Sequence, residues 1–225
     1  MQRPYNTLFL IMSLDGKIST GDIDGRDVDA DFPRISGLKD GLHQYYDLEK
    51  TTDAHSLITG RTLAKIGINK PQKIKKLPVS FIVFDNTHLT LQGIKNMLAK
   101  SKNLFIVTSN KKHVACKMNE AALHVLHYKK TGVARVFYAL HKKYGVSRIT
   151  VQSGGTLNAV LLRQKLINCV SIVIAPCLIG GKNTATLVDG DSLRTLKDLN
   201  KITTLKLRTV TQLQHSYLHL VYDVQ

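Results

Sequence analysis

Apolar runs rich in β-branched residues alternate along this chain with stretches whose apolar residues recur every three or four positions. The runs predict strands at 6–12 (NTLFLIM), 55–59, 79–84 (VSFIVF), 103–108 (NLFIVT), 123–127, 148–152 and 170–175 (VSIVIA). Helical spacing lies between them. Leu38, Leu42, Tyr45 and Tyr46 pattern a helix over 37–50 with Ser36 as its cap, and Val133, Val136, Phe137 and Leu140 pattern another over 132–143. The final stretch, ITTLKLRTVTQLQHSYLHLVYDV, alternates with period two about QHS and predicts an antiparallel hairpin. Strand–helix alternation closed by a hairpin predicts one α/β domain over 1–225 with a mostly parallel sheet.

Composition narrows the setting. Hydrophobic residues make up 43% of the 225, enough for a core, yet no run approaches the length of a membrane span. The N-terminal MQRPYNTLFLIMSLDG lacks the layout of a secretory signal. Cys116, Cys169 and Cys177 are widely spaced and fit neither a disulfide framework nor a Cys-x-x-Cys metal knuckle. A cytoplasmic protein is expected. Lys and Arg number 32 against 16 Asp and Glu, a net charge of +16 that favours anionic partners: nucleic acid, phosphorylated metabolites or a phosphate-bearing cofactor. The lysines are scattered, with small clusters at NKPQKIKK (69–76) and SNKKH (109–113), and form no basic helix.

Several familiar motifs fail on inspection. GGKNT (180–184) would need a glycine at 176 to make a phosphate-binding loop and finds Pro176, so a turn is expected. GDIDGRDVDADFP (21–33) is acid-rich, but a calcium loop begun at Asp22 puts Asp27 where glycine is required, which leaves a solvated loop or a flap beside a site. His215 and His219 lie four apart on a predicted strand, without a carboxylate at metal-ligand spacing. No nucleophile elbow occurs, and Asp15 has no second carboxylate for glycosidase chemistry.

Three strand ends look specialised. MSLDGKI (12–18) breaks an apolar strand with Asp-Gly, a common turn pair. LITGRTLAKIG (57–67) runs from a strand through Gly60 into a short helix opened by Arg61 and Thr62, where free amides beside a guanidinium and a hydroxyl suit a phosphate. ITVQSGGTLNAVLL (149–162) repeats that logic with two glycines, which let a ligand approach the backbone closely. Ligands of open α/β sheets bind at the carboxyl ends of strands, so the three are read together.

RPYNTLFLIMSLDGKIST, ITVQSGGTLNAVLLRQKLINCVSIVIAPCLIGG and the spacing between them resemble the riboflavin-biosynthesis reductases. That family comprises the C-terminal domain of the bifunctional deaminase-reductase and free-standing archaeal and fungal reductases. GRTLAKIG is similar to the Gly-Arg-x-Thr cofactor segment of dihydrofolate reductase, whose fold the family shares. The zinc-deaminase signature is missing, so the likeness is to the reductase half alone.

The resemblance implies a dihydrofolate reductase-like three-layer α/β fold and NADPH as hydride donor. It implies a reaction that opens the ribosylamino ring of a pyrimidinone 5′-phosphate and reduces the resulting imine to a ribitylamino product. Carried over by position, Met12 would lie beside the nicotinamide, and Ser13 beside the substrate. Gly60, Arg61 and Thr62 would contact cofactor phosphates, Asn86 a cofactor-facing strand end, and Gly154, Gly155, Thr156 and Leu157 the diphosphate. Ser109, Lys111 and Lys112 would read the adenosine 2′-phosphate, favouring NADPH over NADH. Asp15 or a bound water would supply the proton. A homodimer paired through the sheet edge is also implied.

Departures from the family pattern bear on the substrate. Gln152 stands where most members carry glutamate near the pyrimidine, and Lys65 or Ile66 replaces an aspartate. The arginines that grip the ribose phosphate have Lys39, His43 and the lysines of 69–76 as substitutes. Two alternatives therefore stay open: an NADPH-dependent reductase of another small, pterin-like substrate, or a basic nucleic-acid-associated protein on an inactive reductase scaffold. Retention of all three strand-end motifs favours an enzyme.

Overall fold

The computed structural model describes residues 2–128 and 132–225. The chain begins with β1 (Tyr5–Ser13), α1 (Val28–Asp31), α2 (His43–Glu49), β2 (His55–Thr59), α3 (Gly60–Lys65) and β3 (Ser80–Phe84). It continues with α4 (Leu91–Lys100), β4 (Leu104–Thr108), β5 (Leu123–His127), α5 (Val133–Tyr144) and β6 (Arg148–Val151). Last come α6 (Gly155–Arg163), β7 (Cys169–Ala175), β8 (Leu205–Gln212) and β9 (Leu218–Val224). Every predicted strand is present. The fold is α/β, mostly parallel, with antiparallel C-terminal strands, as the sequence reads.

The chain forms two compact units. The first, Met1–Tyr5 with Asp53–Ser153, carries strands in the order β5-β4-β3-β2-β6, all parallel. β4 is buried at all five positions, which is why LFIVT reads as a continuous apolar run rather than an alternation. Leu63, Val83, Ile94, Met97, Leu104 and Ile106 form its core. Asp53 ties the start of β2 to β6, accepting from Arg148 Nε (2.7 Å) and Thr150 Oγ1 (3.0 Å).

The second unit, Asn6–Thr52 with Gly154–Gln225, carries the order β1-β7-β9-β8. β1 and β7 pair parallel, and β9 pairs antiparallel with both β7 and β8. Its core gathers Phe9, Ile11, Phe32, Tyr45, Val173 and Tyr217. Gly41 has no side chain because the Tyr217 ring lies against it, and the Tyr217 hydroxyl donates to Leu38 O (2.8 Å).

Three local expectations are corrected. The helix expected over 37–50 starts only at His43: residues 37–42 turn, and no side chain caps α2. The acid-rich 21–33 stretch is not all solvated loop. Asp27 caps α1, Val28 and Phe32 are buried, and Asp31 accepts from Thr20 Oγ1. His215 sits in the hairpin turn at φ +56° rather than on a strand, while His219 in β9 bonds Ser171 Oγ (2.8 Å).

Candidate functional site

The candidate residues fall into two groups, one in each unit. In the first unit β2 ends at Thr59, whose Oγ1 accepts from Thr62 N (3.2 Å) and lies 2.8 Å from Thr62 Oγ1. That cap starts α3 and leaves Arg61 exposed beside it. Gly60 is buried, and a Cβ on it would collide with the carboxylate of Asp85. Close approach to Gly60 is therefore made by the chain's own anion.

Asp85 is the electrostatic centre of this group. Burial would raise its pKa, but hydrogen bonds from His113, the Leu89 and His88 amides and the His88 ring outweigh that and hold it well below the usual carboxylate range. His113 Nε2 lies 2.9 Å from Asp85 Oδ2, and Ala115 N donates to His113 Nδ1 (3.2 Å), which assigns the ring proton to Nε2. His88 Nδ1 contacts Asp85 Oδ1 at 3.0 Å from a half-exposed ring.

Asn86, next in sequence, turns the other way. Its Oδ1 accepts from Thr108 Oγ1 (3.0 Å), Ser109 N (2.8 Å) and Ser109 Oγ (3.0 Å). Asn86 thus pins the end of β3 to the end of β4 and sets the position of Ser109. Lys111 and Lys112 stand exposed in the following turn. Gln152, after β6, accepts from Ser56 Oγ at 2.9 Å.

In the second unit the turn after β1 is a closed hydrogen-bond system. Ser13 is fully buried; its hydroxyl donates to Asp15 Oδ1 (2.5 Å) and accepts from Lys17 N (2.9 Å). Asp15 also accepts from the amides of Ile179 (3.1 Å) and Gly180 (2.6 Å). The Ser13 hydroxyl first, then those amides, lowers the Asp15 pKa to about 2. The carboxylate is ionised at neutral pH and anchors the Ile179–Gly180 backbone. The Ser13 hydroxyl, expected on the substrate, is likewise already committed. Met12 is half-buried in β1, and Lys39 and His43 are exposed, with His43 Nδ1 at 2.8 Å from Asp40 O.

The double glycine divides its labour. Gly154 is the N-cap of α6 in extended conformation (φ −71°), without a side-chain cap, and a Cβ there would meet nothing within 4 Å. Gly155 is buried, and a Cβ on it would strike Thr186 O and the Asp189 carboxylate. Asp189 N donates to Gly155 O (3.1 Å), while Thr186 N and Oγ1 hold Asp189 Oδ1. Leu157 N and Asn158 N both return to Gly154 O, whereas no backbone carbonyl among the described residues takes the amides of Gly155 and Thr156. Two helix N-terminal donors thus stand beside an open glycine, the arrangement that receives an anionic oxygen.

Sequence reasoning missed Asp85, His113 and Asp189. An acid ending the buried run VSFIVF was the available signal for Asp85. His113 and Asp189 are brought in from 28 and 34 residues beyond Asp85 and Gly155, with nothing local to mark them.

Comparison with known proteins identifies the family. The RibD C-terminal domain family matches residues 4–218. The chain belongs to that family, whose members include the reductases of riboflavin biosynthesis. It is 26% identical over 212 residues to the 2,5-diamino-6-ribosylamino-4(3H)-pyrimidinone 5′-phosphate reductase of Methanothermobacter thermautotrophicus, covering 87% of this chain and 88% of that one. Among solved structures, Acinetobacter baumannii RibD is similar with TM-score 0.69 at 16% identity, over 99% of this chain but 58% of that one. Saccharomyces cerevisiae Rib7 is similar with TM-score 0.62 at 16% identity, over 99% of this chain and 90% of that one. Among the described residues no helix is long and apolar enough to cross a membrane.

Proposed function

We propose that the protein is an NADPH-dependent reductase acting on a phosphorylated ribosylaminopyrimidine, in which the ring-opened ribose imine is reduced to the ribitylamino product. The observation that carries the reading is the start of α6, where the Gly155 and Thr156 amides stand behind the open N-cap Gly154. The name of the M. thermautotrophicus relative supports the substrate class.

Taken unit by unit, these residues suit the parts of a nicotinamide dinucleotide phosphate. Gly154, Gly155 and Thr156 would hold its diphosphate with backbone donors, Arg61 and Thr62 a phosphate oxygen, and Ser109 with Lys111 and Lys112 the 2′-phosphate. When bound, the cofactor supplies the hydride. Asn86 acts indirectly, by bracing Ser109. Gln152 gives the base a neutral hydrogen-bonding partner, and Lys39 and His43 are cationic or polar contacts for the ribose phosphate. Met12 would lie beside the nicotinamide. Since Asp15 is ionised, the proton comes from water, and Asp15 positions the Ile179–Gly180 backbone.

Residues 1–225 work on this reading as a single reductase domain in a cytoplasmic homodimer. The dimer is supported by β8, the last strand in its unit's order, which exposes all eight residues including Leu205, Leu207 and Val210. A monomer in gel filtration with light scattering would remove that part.

The test is thermal shift against NADPH and NADH, followed by cofactor oxidation with the ribosylaminopyrimidinone phosphate. Selective stabilisation by NADPH and substrate-dependent oxidation are expected. No response to either nucleotide overturns the reading; a response to NADPH without turnover overturns the substrate.

A further inference from the structure

The second unit contains a cavity of about 300 Å³ that has no part in the chemistry above. Its floor is made by Leu8 of β1, Val170 of β7 and Ala159 of α6, all nearly or fully buried. Its lip is apolar too, and exposed: Leu193, Ile202 and Leu205. Large side chains gathered at an opening keep an apolar surface in contact with water, a cost that an apolar ligand would relieve. The volume is at the lower end of small-molecule sites and equals the room of about ten water-sized groups.

The charged lining is one-signed. Arg163 and Lys201 line the cavity, and among the described residues no carboxylate side chain does. Lys201 is bridged to Asp198 (2.6 Å), which also takes the amides of Arg194 and Thr195. Arg163 differs: its guanidinium donates to a backbone carbonyl, Asp191 O (2.6 Å), and forms no ion pair with a described carboxylate. A cation held in place by a carbonyl at the rim of an apolar cavity is complementary to an anion with an apolar body.

We propose that this cavity binds a small amphipathic anion, a medium-length hydrocarbon carrying one carboxylate, with its chain on Leu8, Ala159 and Val170 and its charge on Arg163. The site shares Leu205 with the strand edge proposed for the dimer but does not rest on the catalytic reading, and its test needs no nicotinamide nucleotide. With the full chain, decanoate should displace anilinonaphthalene sulfonate saturably, at one site per chain, and roughly tenfold more tightly than decanol.

Arg163→Gln should abolish the preference for decanoate while leaving decanol binding as it was. Ala159→Phe should weaken both ligands by filling the floor. Should that variant fail to fold, Leu193→Glu at the exposed lip should repel decanoate selectively. Equal affinity for decanoate and decanol in the unaltered protein overturns the proposal, as does the lack of displacement by either. Probe binding that appears only when a dimer is diluted to monomer also overturns it, because the occupant is then a second copy of the chain.

Discussion

The two strand-to-helix junctions, at Gly60 and at Gly154–Gly155, look like one device used twice. Each places glycine after a strand and before a helix, where free amides face outward. In the structure they differ. Gly60 is small because the buried Asp85 carboxylate lies against it, and Gly155 because Thr186 O and Asp189 do. Only Gly154 borders open space. A glycine at such a junction can thus serve the chain's own packing or a ligand, and the neighbour decides which.

Substitutions by alanine should separate these cases. Gly60→Ala drives a methyl into an ionised carboxylate held by two imidazoles and three backbone amides, and should cost about 3 kcal/mol in urea unfolding. A loss well under 1 kcal/mol would mean that Asp85 moves aside freely. The same carboxylate makes acid stability a readout. Its folded pKa is lowered, so its contribution is present above the unfolded value of about 3.9 and is lost as pH falls below it. Gly60→Ala should therefore show a flatter acid limb than the unaltered protein.

Gly155→Ala comes next, at about 2 kcal/mol, because the 186–189 turn is more exposed than Asp85 and can give way in part. Asp15→Asn should have a smaller effect, on activity. Because Asp15 already titrates near 2, pH–rate profiles between pH ~5 and ~8 should keep their shape while the rate falls severalfold. An acid limb that disappears in the variant would restore Asp15 as the proton donor. Gly154→Ala should leave stability within about 0.5 kcal/mol, since φ is −71° and no atom lies within 4 Å. Yet it should weaken NADPH binding roughly tenfold if the diphosphate approaches there; unchanged affinity would place the diphosphate elsewhere.

Strands were legible where burial is one-sided or total, because a five-residue apolar run such as LFIVT has few other fates. The helix over 37–50 was overread because Leu38 and Leu42 fit a 3.6-residue period, yet they reach the core from a turn. Candidate ligand residues were legible as residue types at strand ends. Whether each was available was not. Ser13, Asn86 and Asp15 bear the right groups, and all three have hydrogen-bonding capacity committed to partners within their own unit.

By itself the sequence determined the α/β class, the order of its elements, the two glycine junctions and the family resemblance, because these depend on local periodicity and contiguous motifs. Only the tertiary structure decided that Asp85 fills Gly60, that Asp189 fills Gly155, that Asp15 is an ionised anchor and that Arg163 borders an apolar cavity. Those outcomes depend on atoms from distant segments meeting within a few ångströms. Electrostatic and steric energies at that range follow separation in space, which separation along the chain does not encode.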